Sequence, residues 1–137
     1  MQLDTVHALL PLIAAATAVN FLLAGWAFIA GLAGRRTLSM SFWALLLLAL
    51  ALIVVNAGAG ILLAASGARP RTPLHFLYGI LVTIAAAAQY GLRPGGFLRA
   101  TVQRTLPGFN EPRTLALICL TQAALLLRAY MTGALGR

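Results

Sequence analysis

The sequence predicts an all-α membrane protein: a four-transmembrane-helix bundle forming one domain over residues 1–137, with a short interfacial helix between spans three and four. Three observations lead there. Hydrophobic residues make up 61% of the chain and charged residues only 9%, against about 25% charged in a soluble domain. The apolar residues fall into four runs, each long enough for the roughly 20-residue helix that crosses a bilayer core. All ten cationic residues are arginines, and they lie mainly at the ends of those runs, where they favour anionic headgroups and set topology.

The first span is expected over about residues 5–34. Asp4 is the expected N-cap, its carboxylate accepting from free amides of the first turn. Pro11 offers no amide to the carbonyl of His7, so a loosened turn is expected there. Gly34-Arg35-Arg36-Thr37 is the turn. The second span covers about residues 38–66, with Trp43 placed at the headgroup boundary, where an indole is at home. Asn56-Ala57-Gly58-Ala59-Gly60 interrupts it with small residues that permit close helix contact, and Asn56 is expected to bond across that contact.

Thr72 is the expected cap of the third span, with Pro73 at N1, where its missing amide costs nothing. That span ends near Gly91, before Arg93-Pro94-Gly95-Gly96. Residues 97–106 are too polar to span. Phe97, Val102 and Leu106 share one helical side, with Arg99, Gln103 and Arg104 elsewhere, as in a helix lying in the interface. Asn110 or Glu111 caps the fourth span, with Pro112 in its first turn. It runs to about Gly133 and contains Gln122 and Arg128. Gln89 and Gln122 are expected to bond between helices.

Arginine counts orient the chain. Arg35, Arg36, Arg93, Arg99, Arg104 and Arg113 fall on one side, and Arg69, Arg71, Arg128 and Arg137 on the other. The positive-inside bias places both termini outside an inner (cytoplasmic) membrane. The bilayer is then the main partner, and nucleic acid is not expected despite the +8 charge, because the arginines mark span ends rather than one basic face. Cys119 is the single cysteine, so neither an internal disulfide nor a cysteine metal motif exists. The sequence holds no HExxH, no paired carboxylates and no phosphate-binding loop. Asp4 and Glu111, the only acids, fall on opposite sides and cannot act as an acid–base pair.

His7 and His75 are the only histidines. Each lies three residues past its expected cap, about 4.5 Å along a helix axis. Spans one and three run in the same direction, so both imidazoles lie on one membrane side at similar depth. Neutral imidazole is a good iron ligand, and haem iron accepts an axial side chain on each face. His7 and His75 are therefore the expected ligands of one haem b near the outer face. Arg69 and Arg71 are placed to pair with its propionates. Tyr78, three residues from His75, is a candidate donor, and Arg128 belongs to the same half of the membrane. Histidines near helix starts also serve as plain interfacial residues, and Tyr78 as an interface anchor.

Four spans with histidines on different helices resemble the small bacterial four-helix b-type cytochromes. The segments His75-Phe76-Leu77-Tyr78-Gly79 and Arg128-Ala129-Tyr130-Met131-Thr132-Gly133 also look like parts of small bacterial membrane proteins of unclear role. Typical b-type members have more or deeper histidines than this chain. The resemblance implies a membrane electron-transfer component. Two other functions remain open: a cofactor-free accessory subunit packed against larger membrane-complex subunits, and a small transporter working as a homo-oligomer through its central amides.

Overall fold

The computed structural model describes the backbone of residues 10–135 and the side chains of residues 11–133. Asp4 and His7 lie outside the described residues. The helices are α1 (Leu10–Leu32), α2 (Met40–Ala65), α3 (Leu74–Gly91), α4 (Phe97–Thr105) and α5 (Glu111–Tyr130). A π-helical turn, Met131–Leu135, continues α5. Among the described residues there is no strand. Among the described residues, four helices, all but α4, are long and apolar enough to cross a membrane.

The ends of these helices follow local chemistry. Ser39 caps α2 by accepting from the Phe42 amide at 3.3 Å. Asn110 caps α5 by accepting from the Arg113 amide at 3.0 Å. α3 starts differently from expectation. Pro73 is its N-cap and makes no side-chain bond, and the Thr72 hydroxyl is buried without a partner. The first turn is closed instead by i→i−3 bonds, His75 N to Thr72 O at 3.2 Å and Phe76 N to Pro73 O at 3.1 Å.

α5 lies at the centre of the packing, most extensively against α1 and then α3. Its buried stripe is Glu111, Leu115, Cys119, Gln122, Ala123 and Leu126, a three- and four-residue spacing that keeps one face inward. Gly31 approaches Pro112 and Arg113, so α1 runs antiparallel to α5. His75 meets Ala129, so α3 does too. α2 packs mainly on α1 and only lightly on α3. Its buried end centres on Phe42, whose ring stands edge-on to Trp26 (6.0 Å) and Trp43 (5.6 Å). Trp43 is therefore a core residue, 3% exposed, rather than a boundary residue. Edge-to-face packing against Phe42 holds it there, although its Nε1 has no partner.

One end is tied by a buried carboxylate. Glu111, 2% exposed, accepts from the Leu38 amide through Oε1 at 2.6 Å. Its Oε2 pairs with Arg99 of α4, and Arg99 also donates to the Leu92 carbonyl at 3.2 Å. Two stretches of chain thus meet at the Glu111 carboxylate, and Arg99 extends the tie to the end of α3. α4 is turned accordingly. Leu98 and Val102 pack against the core, while Phe97 and Leu106 stay 65% and 56% exposed. Arg99, expected away from the packed side, is drawn in by Glu111. Gly96 permits the return of the chain, because a Cβ there would collide with the Gly91 carbonyl.

Removing one member of a buried ion pair leaves an uncompensated charge, at about 3–5 kcal/mol. E111A also orphans the Leu38 amide, so it is expected at the destabilised end of that range, with E111Q milder because it keeps an acceptor. Equilibrium unfolding in mixed detergent checks the order; equal stability of wild type and E111A would refute the tie.

Candidate functional site

At the opposite end from Glu111, the light packing of α2 on α3 leaves a cleft of about 700 Å³. Its walls are largely apolar, with Ile53, Ile61, Ile80 and Leu126 among them, and its polar lining includes Asn56, Arg69, His75 and Tyr130. That volume falls within the roughly 300–1,000 Å³ of small-molecule and cofactor sites. α2 contributes its small residues Ala57, Gly60 and Ala64 to one wall.

His75 is half-buried in this cleft. Its Nδ1 lies 2.9 Å from the Ala129 carbonyl oxygen of α5. A carbonyl can only accept, so Nδ1 is the protonated nitrogen and, in the neutral ring, Nε2 holds the lone pair. Histidines that bind metal usually donate their other N–H to a carbonyl or carboxylate, which fixes tautomer and orientation. The same Ala129 carbonyl lies 3.1 Å from the Thr132 hydroxyl, which is fully buried. Thr132 itself lies in the π turn that begins at Met131.

The six residues singled out by sequence do not form one cluster. His75 and Arg69 line the cleft; Arg71, Tyr78 and Arg128 do not. The Arg128 guanidinium sits over the Tyr78 ring, 5.5 Å from its centroid, a cation–π pairing outside the cleft. His7 lies outside the described residues. Among the described residues, no group of three or more His, Cys, Asp or Glu could hold a bare metal ion. A haem asks less of the protein, one axial donor on each face. His75, its carbonyl partner and the apolar space fit one such position.

Between the cleft and the Glu111 end lies a buried amide cluster. Gln89 of α3 donates from Nε2 to Asn20 Oδ1 of α1 at 2.9 Å and to Cys119 Sγ of α5 at 3.3 Å. Asn20 in turn donates to the Ala16 carbonyl at 2.9 Å. This is the bonding between helices expected of Gln89. Gln122 does not share it. It is fully buried, yet neither its Nε2 nor its Oε1 has a partner.

Sequence reasoning missed Ala129 and Gly133 as the wall against His75, and Glu111 as a tie. A carbonyl leaves no mark in sequence. Gly133, directly after Thr132 near the end of the fourth span, was the available signal. No known protein family, curated protein or solved structure matches the chain.

The two glutamines respond differently to replacement. Q89L strands Asn20 Oδ1 and is expected to cost about 1–2 kcal/mol, in the range of membrane interhelical bonds. Q122L removes a group that has no bond to lose and is expected to be neutral or stabilising. Detergent unfolding of both variants compares them; a Q122L loss as large as that of Q89L would show a bond at Gln122.

Proposed function

We propose that this chain is a membrane electron-transfer component: a four-span bundle, α4 in the interface and both termini outside, holding one haem b near the outer face. His75 and His7 are the axial ligands in this reading. The observation that carries it is the His75 imidazole, set in an apolar cleft with Nδ1 bonded to the Ala129 carbonyl. Bound haem supplies one-electron chemistry. The protein's own part is to present Nε2 as ligand, to hold the ring by Nδ1–H and to exclude water with aliphatic walls. A carbonyl-bonded imidazole is also a more basic ligand. Arg69 at the cleft supplies positive charge for a propionate.

The orientation is supported by the six arginines at the Glu111 end. One of them, Arg99, is neutralised by Glu111. In that orientation the cleft opens in the outer half of the membrane.

One observation favours a second reading, the cofactor-free accessory subunit. Ala57, Gly60 and Ala64 give the cleft a wall of small residues, the kind of surface on which a membrane helix of a larger complex packs closely.

Purification in mild detergent, with spectra before and after dithionite, separates the two. The haem reading expects a Soret band and sharp reduced α and β bands at stoichiometric haem, abolished in H75A and in H7A. A protein that stays colourless after haem is supplied, and that copurifies with larger membrane subunits, would replace the first reading with the second.

A further inference from the structure

The C-terminal end of α5 is built around the His75 ring. A Cβ at Gly133 would come within 2.6 Å of His75 Nδ1 and 2.7 Å of Cε1. These are side-chain contacts that real Cβ atoms do not make. Gly133 has no unusual backbone to explain it: among the described residues the glycines with positive φ are Gly34, Gly67 and Gly95. Alanine is the better helix former at an ordinary helical position. The glycine is therefore explained by the ring beside it. The π turn that follows α5, Met131–Leu135, contains Gly133.

We infer that Gly133 is a positioning residue for His75: its missing side chain lets the imidazole seat against α5 and donate from Nδ1 to the Ala129 carbonyl, which fixes Nε2 as the ligating nitrogen. The inference deepens the haem reading and rests on it for the identity of the ligand. The seat itself rests only on His75, Ala129 and Gly133. A methyl at position 133 displaces the ring, lengthens the Nδ1–Ala129 contact and releases the tautomer. Orienting partners of this kind typically contribute about 10- to 100-fold to metal affinity.

The test uses full-length protein without added haem, with its histidine rings labelled with ¹⁵N, in detergent at a pH above the imidazole range. Signals lost in H75Q belong to His75. The expected result is a single tautomer protonated at Nδ1 in wild type, and a mixture of tautomers in G133A. A wild-type ring protonated at Nε2, or identical His75 signals in G133A, would overturn the inference. A second variant pair guards against misfolding of G133A. The Asn amide nitrogen occupies nearly the place of Nδ1, so H75N should melt at a higher temperature than H75Q; equal melting would count against the seat. With haem supplied, G133A should retain it about 10- to 100-fold less tightly than wild type. If wild type takes no haem but shows the fixed tautomer lost in G133A, the seat stands and the haem reading fails.

Discussion

The Glu111 carboxylate is the contact on which the arrangement of the long helices depends. It is one of two acids in the chain, and it is buried where α5 begins. Burial of a charge is costly unless it is paired and hydrogen-bonded, and Glu111 has both compensations. The Leu38 amide comes from the turn between α1 and α2, and the Arg99 guanidinium from α4. The start of α5 is thereby fixed against two separate stretches of chain. From there its buried stripe can lie continuously between α1 and α3, and α4 is held close although none of its residues is fully buried.

The other end lacks such a tie, and this difference makes room for a site. α2 is held at its start by the packing of Phe42 and Trp43, but towards Ala65 it carries Ala57, Gly60 and Ala64 and stays largely apart from α3. What joins α3 to α5 there is a weaker and more directional contact, the imidazole of His75 on the Ala129 carbonyl. The amide cluster of Asn20, Gln89 and Cys119 sits between the two ends and links α1, α3 and α5. α2 takes no part in those bonds. The helix outside that network supplies one wall of the cleft, opposite α3.

The sequence made the helices legible because length and hydropathy are local properties. Gly, Pro and Arg punctuate the apolar runs, and among the described residues the helix boundaries fall within a few residues of those expected. Rotation of each helix about its axis was not legible. A strongly apolar helix shows little contrast between its faces, so nothing local announced that Trp43 faces the core while Trp26, also edge-on to Phe42, stays half exposed. The same limit explains Arg99, turned inwards by a partner twelve residues away in sequence, and Arg128, matched with the Tyr78 ring. Thr72 looked like a cap by residue type, but the i→i−3 closure of the first turn of α3 left its hydroxyl aside. The candidate site was half visible: His75 could be read from the sequence, its carbonyl and its glycine neighbour could not.

A histidine one turn into an apolar helix has two ordinary fates, and the geometry around His75 distinguishes them. An interfacial histidine bonded to water or headgroups needs nothing from the neighbouring helix. Its ring would be free to rotate, and position 133 could carry any small side chain. Here the facing helix has a glycine where a methyl would collide, a carbonyl aimed at Nδ1 and a π turn just beyond it. The end of α5 and the turn that continues it thus accommodate one side chain of α3. In a chain where most side chains are interchangeable aliphatics, that degree of accommodation argues that the orientation of the ring, and not merely its polarity, is what the fold preserves.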